Sequence, residues 1–247
     1  QVMTDESGAW SYSDETYPSG GYLYQLRYKN SFTSKSKDMI FYDSLENYVN
    51  DGASSDWHGT LEAIDTTVAT GKGAAPVVYI STVENLNLDE HHDLSDATVW
   101  QQVNPSDKAA LATAKAVAVD LSKDASGNDF TLEAGDSISV NLRMKAPDAV
   151  PTLSDQHVPT AYNNVYMSNT VMAKGNTSAE EPFFIHHDYT QIALKVKADF
   201  QMNKISAVDK SPIKGIQFRV YGTSSYGTPV DMIETSGTSG VIKFSKI

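Results

Sequence analysis

Apolar residues that recur at every second position are the feature that most restricts how this chain can fold. The segment 137–144 shows the pattern most clearly, and a second example runs over residues 21–28. In the first segment the expected core residues are Ile138, Val140, Leu142 and Met144, and the expected outward residues are Ser137, Ser139, Asn141 and Arg143. Because successive side chains of a β-strand point to opposite faces of the sheet, both segments predict strands with one buried face.

Similar short segments occur along most of the chain, whereas helical patterns are rare. We predict further strands over residues 39–42, 57–64, 76–81, 117–119, 163–171 and 192–196. A helix is predicted only over residues 106–114, where Ser106 or Asp107 can cap the free N–H groups of an alanine-rich turn. Residues 146–160 contain three prolines and predict a long loop. This organisation predicts an all-β chain built around a large, Ig-like β-sandwich.

Composition excludes several classes of function. The 247 residues suffice for one large or two ordinary domains, and the formal net charge is −12. Phosphate binding needs a basic surface, so we expect no nucleic-acid partner and no electrostatic docking on an anionic membrane. We find no apolar run long enough to insert into a membrane and no secretion signal. The chain begins with Gln1-Val2 rather than Met, and we expect that both ends were removed.

The residues from 200 onward carry an ordered set of short motifs. An apolar strand that contains Lys204 is followed by Asp209, by a turn that ends in Pro212-Ile-Lys-Gly215, by a strand that ends in Val220-Tyr221, and by Gly240-Val-Ile-Lys-Phe244. This order resembles the opening of the Cna B-type repeat domains, prealbumin-like β-sandwiches of Gram-positive collagen adhesins and pilins. The resemblance implies a β-sandwich over residues 1–197 and an incomplete B-type sandwich over residues 198–247.

The same resemblance implies a chemical role for Lys204. In B-type domains a buried lysine of the first strand forms an isopeptide bond with an asparagine of the last strand, and a nearby glutamate handles the protons. Lys204 matches the position of that lysine. The glutamate and the asparagine have no counterpart before Ile247. We therefore expect the bond only in a longer chain, with Lys204 in this one as an ordinary strand-edge lysine.

The larger N-terminal part is similar to repeat β-sandwiches of bacterial surface proteins. The motifs are Tyr22-Leu-Tyr-Gln-Leu-Arg-Tyr-Lys-Asn30, Met39-Ile-Phe-Tyr-Asp-Ser-Leu45 and Gly135-Asp-Ser-Ile-Ser-Val140. An isopeptide bond in this part would use Asp43 and Asn169, which stand at suitable positions. Residues 1–28 contain no lysine to complete it, so we expect no bond here.

Metal sites are weighed against ordinary surface structure. His91-His92-Asp93 and His186-His187-Asp188 contain ordinary zinc or nickel ligands, but adjacent residues on a strand point to opposite faces, which favours surface loops. Asp124, Asn128 and Asp129 offer hard oxygens in a tight turn without the spacing of an EF-hand, so a hairpin turn is predicted and calcium is the alternative. We expect no cofactor.

Catalytic motifs are absent from the sequence. It contains no Gly-x-Ser-x-Gly elbow, no cysteine and no glycine-rich phosphate loop, so we expect no enzymatic site. Two hypotheses remain. One is a structural or adhesive module of a cell-wall-anchored, extracellular Gram-positive protein, with a host matrix protein or glycan as partner. The other is a carbohydrate-binding β-sandwich of a secreted glycan-processing protein, in which Trp10, Trp57 or Trp100 stacks on sugars, although Trp57 is expected in the core.

Overall fold

The structure is a computed structural model. It describes residues 1–5, 7–46, 57–149, 165–169, 171–186, 190–194, 200–223 and 229–244. Strands dominate these residues, and the helices α1 (Thr67–Gly71) and α2 (Lys108–Leu111) are one turn each. The predicted all-β class is confirmed. No helix within the described ranges combines the length and the apolar character needed to cross a membrane.

The strands are numbered in chain order. The first nine are β1 (Val2–Thr4), β2 (Ser13–Thr16), β3 (Gly21–Lys29), β4 (Ser36–Asp43), β5 (Thr60–Asp65), β6 (Val77–Ser81), β7 (Gln101–Val103), β8 (Ala116–Asp120) and β9 (Thr131–Leu132). The remaining nine are β10 (Ser137–Lys145), β11 (Val165–Asn169), β12 (Val171–Thr177), β13 (Pro182–His186), β14 (Thr190–Leu194), β15 (Phe200–Asn203), β16 (Gln217–Thr223), β17 (Pro229–Thr235) and β18 (Val241–Phe244).

Three sheets form the N-terminal part. One has the order β1-β3-β10-β5, a second has the order β13-β12-β4-β8-β6-β7 with β9 added beside β4, and a third has the order β11-β14-β2. The pairing of β2 with β14 is parallel, whereas all other strand pairs described are antiparallel. The C-terminal part contains two two-stranded sheets, β15-β18 and β16-β17.

The main core lies between the sheets of the N-terminal part. Strands β3 and β10 pair with Leu26 opposite Val140, and both residues are buried. All three sheets contribute to this core, for example through Leu142, Phe41 and Ile192. The predicted inward residues of residues 137–144 are therefore confirmed as core residues. In residues 21–28 the alternating residues Tyr22, Tyr24, Leu26 and Tyr28 are buried as well.

Several local predictions need correction. Ser139 was expected on an exposed face but is buried. Neighbouring elements cover part of the outward face of β10 as well as its core face. The short helix α1 was not predicted. The sequence predicts a loop over residues 175–182, but residues 175–177 continue β12, because this strand pairs along β4 as far as Ser36. The predicted cap of α2 is confirmed, since the Asp107 carboxylate accepts from two backbone N–H groups.

The chain divides into two compact units. The large unit comprises Gln1–His157 and Val165–Leu194, and the small unit comprises Val158–Asn164 and Lys195–Ile247. The predicted domain boundary between residues 197 and 198 lies outside the described residues.

Candidate functional site

Lys204 directly follows strand β15 of the small unit. Its backbone N–H donates to the Gly240 carbonyl at 2.7 Å, and its own carbonyl accepts from the Ile213 N–H at 3.0 Å. The register of β15 and β18 places Asn203 opposite Val241, so Lys204 extends this pairing by one residue. The backbone of Lys204 is thus held from two sides, by β18 and by the turn before β16.

Gly240 has a steric reason to be glycine. Its φ is +72°, and a Cβ atom at this position would lie 2.3 Å from the Lys204 carbonyl oxygen. The same Cβ would approach Pro212 to 3.2 Å. Three parts of the sequence motif, the lysine, the proline and the glycine, therefore meet at one point of the small unit.

The Lys204 side chain is half-buried. Successive residues alternate in exposure, and Met202 and Lys204 are less exposed than Gln201 and Asn203. Within the described part of the chain, no carboxylate or amide is hydrogen-bonded or ion-paired with its ammonium group. The isopeptide role of Lys204 stays a prediction.

Asp43, the acidic candidate of the large unit, is fully buried at the end of β4. Its Oδ1 accepts from the Leu45 N–H at 2.7 Å, which closes a tight turn after the strand. Asp43 pairs with Val171, two residues beyond Asn169 in the chain. The structure therefore brings the ends of β4 and β12 together, and Asp43 has a local structural role in the turn.

A buried carboxyl group that the sequence analysis did not identify lies just beyond this turn. Glu46 is fully buried, and both Leu45 and Glu46 have positive φ values, 45° and 71°. Its Oε1 accepts from the hydroxyls of Tyr22 at 2.6 Å and Tyr24 at 3.0 Å. Its Oε2 accepts from the Gly59 N–H at 2.5 Å. The left-handed turn thus directs a carboxyl group back into the core, against β3.

Burial and hydrogen bonding act on Glu46 in opposite directions. Burial raises the pKa of Glu46 to about 7, and the three donors, which favour the ionised form, lower it by less. Burial and the neighbouring Glu46 also raise the pKa of Tyr22 and of Tyr24, so both hydroxyls remain donors. Glu46 can therefore gain or lose a proton near neutral pH inside the core. The alternation of tyrosines was visible in the sequence, but nothing in its spacing indicated their shared partner.

The first histidine cluster fastens a loop to the large unit. The His91 carbonyl accepts from Trp100 Nε1 at 2.9 Å, and the His92 carbonyl accepts from the Tyr42 hydroxyl at 2.6 Å and from Lys174 Nζ at 3.0 Å. The predicted surface loop fits this arrangement. In the second cluster, the His186 side chain, His187 and Asp188 lie outside the described residues. Within the residues described, no group of three histidine, aspartate or glutamate side chains could hold a metal ion.

The turn at Asp124 uses its oxygens internally. Asp124 Oδ1 accepts from the N–H groups of Ser126 and Asn128, and Oδ2 accepts from the Asn128 amide at 3.2 Å. Asp129 is ion-paired with Lys123 at 2.5 Å. This geometry fits the predicted hairpin turn. Calcium binding was the alternative and stays untested.

Two of the three tryptophans are core residues. Trp57 and Trp100 are each 3% exposed, and Trp10 is half-buried. Trp57 packs edge-on against Tyr22, which confirms its expected place in the core. Because both indole rings are buried, neither offers a face on which a sugar could stack. Trp57 and Trp100 therefore do not support the carbohydrate-binding hypothesis.

Comparisons with known proteins return structural similarity alone. No protein-family description and no curated protein matches the sequence. The chain is similar to the major pilin subunit BcpA of Bacillus cereus, with a TM-score of 0.38 and 15% identity over 96% of this chain and 53% of the pilin. A single-residue variant of that pilin gives a TM-score of 0.40, with the same identity and coverage. The pilus adhesin RrgA of Streptococcus pneumoniae gives a TM-score of 0.21 and 12% identity over 86% of this chain and 25% of the adhesin. The chain thus spans about half the length of the Bacillus pilin structures.

Proposed function

We propose that this chain is a structural and adhesive module of a Gram-positive surface protein of the pilin or adhesin kind. In this proposal the module is extracellular, belongs to a cell-wall-anchored protein, performs no catalysis on a substrate and contacts a host matrix protein or glycan. The observation that carries it is the small unit, where the B-type motif residues Lys204, Pro212 and Gly240 meet around one backbone contact. The same three residues carry part of the sequence resemblance to B-type domains.

The proposal gives Lys204 a covalent role in the complete B-type domain. The neutral amine of Lys204 attacks the side-chain carbonyl carbon of an asparagine on the closing strand. A new C–N bond forms, the asparagine C–N bond breaks, and ammonia leaves. The protonated glutamate of the complete domain polarises the amide and gives its proton to the departing nitrogen. Its carboxylate takes one proton from the attacking amine, so the acid is restored as ammonia leaves. Packing of the closing strand over the half-buried Lys204 would exclude water from the amine and hold it beside the asparagine.

Intact mass spectrometry tests this role. In a chain extended to include an asparagine-bearing closing strand, we expect a mass about 17 Da below that of the sequence, because one ammonia is lost. Lys204→Ala should restore the sequence mass. Lys243→Ala, which changes an exposed lysine of β18, should leave the deficit unchanged. A wild-type extended chain with the full sequence mass would reject the bond and leave Lys204 an ordinary strand lysine.

A further inference from the structure

Strands β2 and β14 lie side by side near the start and the end of the large unit. They pair in parallel, from Ser13 opposite Gln191 to Thr16 opposite Leu194. The Gln191 N–H donates to the Tyr12 carbonyl at 3.0 Å, so the ladder begins immediately before β2. The unit is therefore closed by strands that stand about 180 residues apart in the chain.

The parallel direction determines how such a pair responds to tension. Pulling the chain before Ser13 and the chain after Leu194 apart acts on opposite ends of the two strands. The strands must then slide past each other, and the rungs of the ladder are loaded together. In a pair pulled from the same end, the rungs would separate one at a time. The arrangement found here is the one that resists extension.

Strand β14 is the buried member of this pair, and β2 is the edge strand of their sheet. Thr190, Ile192, Ala193 and Leu194 are buried, so both faces of β14 are covered. On its second edge β14 pairs with β11, with Ile192 opposite Met167. At the end of the ladder where Thr16 lies opposite Leu194, both residues are buried, so water has little access to replace a strained hydrogen bond there. Ser13 at the other end is exposed.

The short strand β1 precedes the β2–β14 pair on the path of tension. Val2 forms a two-way backbone bridge with Ser11, and β1 pairs with β3 over three residues. Asp5 adds a bidentate contact with Arg143 at 2.7 and 2.8 Å. A tension applied at Gln1 would first release this small segment and then load β2 against β14 in shear.

We infer that the parallel pairing of β2 with β14 is the mechanical clamp of the large unit. The inference rests on the proposed function in one respect, that a stalk or adhesive module transmits tension along its chain. The clamp accounts for resistance within the large unit, whereas the Lys204 bond would act in the small unit. The two devices would therefore resist extension separately.

Single-molecule pulling from two directions tests the clamp. The chain has no cysteine, so introduced cysteines define the attachment points. Tyr12→Cys with Asn203→Cys loads β2 and β14 in shear. Ser19→Cys with Asn203→Cys applies force at the end where both strands finish, and it loads the same folded unit by peeling. All three positions are exposed, and equal thermal unfolding of the two double variants establishes that both are folded.

We expect the shear arrangement to unfold the large unit at a force at least about two-fold higher than the peeling arrangement, because the rungs of the ladder break together. Gln191→Pro, which removes the N–H that bonds Tyr12, should lower the shear force and leave the peeling force nearly unchanged. Equal forces in the two directions, or a shear force insensitive to Gln191→Pro, would overturn the clamp. Neither result would bear on the mass deficit at Lys204, so failure of the clamp and failure of the proposed function are distinguishable.

Discussion

At the scale of single residues, the Glu46 carboxyl group links the protonation of the core to its stability. Its folded pKa is about 7, raised from an ordinary value of 4.5 by burial. The groups that face it are Tyr22 and Tyr24 of β3, Asp43 at the end of β4 and the Gly59 N–H before β5. Because the folded pKa is raised, the stabilising contribution of Glu46 is fully present below pH 4.5. It is lost as the pH rises towards and through 7.

The raised pKa of Glu46 therefore predicts that the free energy of unfolding falls as the pH rises from mildly acidic to mildly alkaline values. We expect the free energy of unfolding of the wild type, relative to Glu46→Gln, to fall by on the order of 3 kcal/mol between pH 5 and pH 8. The glutamine side chain cannot ionise. Any stability that it loses through poorer hydrogen bonding with the Gly59 N–H is the same at every pH, so this loss does not change the difference between pH 5 and pH 8. Urea unfolding at several pH values measures it.

The exposed Glu90→Gln serves as the control, and its curve should run parallel to that of the wild type. A wild-type curve parallel to that of Glu46→Gln over the same range would contradict the prediction. It would mean that the three hydrogen bonds of the carboxylate outweigh its burial.

At the scale of elements, the outer face of the seven-stranded sheet is covered by the loop that carries the first histidine cluster. Leu86 and Leu88 of this loop pack with Tyr42 and Trp100 in a second apolar cluster. Trp100 meets Tyr42 edge-on at 5.9 Å, and Lys174 Nζ lies 5.6 Å from the centre of the Tyr42 ring. The loop is therefore held by apolar packing and by hydrogen bonds to two of its carbonyl groups.

Tyr42→Phe isolates the hydroxyl contribution. The ring contacts remain, while the bond to the His92 carbonyl is lost, so we expect a destabilisation of about 1 kcal/mol. We also expect faster hydrogen exchange at the amides of Glu90 and His91, which donate to the Asn87 carbonyl within the loop. Tyr12→Phe, at an exposed tyrosine, is the matched control. Unchanged exchange at both amides in Tyr42→Phe would show that packing alone holds the loop.

At the scale of the whole molecule, three sheets of the large unit share its main core. Leu26 is 2% exposed in this core, and its chain neighbour Arg27 lies on the exposed face of the same strand. We expect Leu26→Ala to lower the free energy of unfolding by about 2–5 kcal/mol, because it leaves a cavity among residues of several strands. Arg27→Ala should cost less than about 0.5 kcal/mol. Denaturant unfolding compares the two, and similar losses would contradict the assigned faces of β3.

Local chemistry determined much of the fold in advance. The alternation in residues 21–28 and 137–144 specified which residues of β3 and β10 are buried, because a strand repeats every two residues. Asp107 marked the start of α2, because a side chain that caps a helix acts on N–H groups only two and three residues away. The Lys204, Pro212 and Gly240 pattern was also readable, because the order of these residues along the chain resembles the B-type motif.

The tertiary structure alone decided the rest, because the deciding contacts join residues far apart in the chain. The burial of Ser139 and the continuation of β12 depend on neighbouring elements that leave no trace in the local pattern. Glu46 obtains its three donors from residues 13 to 24 positions away, and only a left-handed turn aims it at them. The parallel pairing of β2 with β14 likewise depends on the direction in which β14 runs beside β2 in the three-stranded sheet, which no alternation of apolar residues encodes.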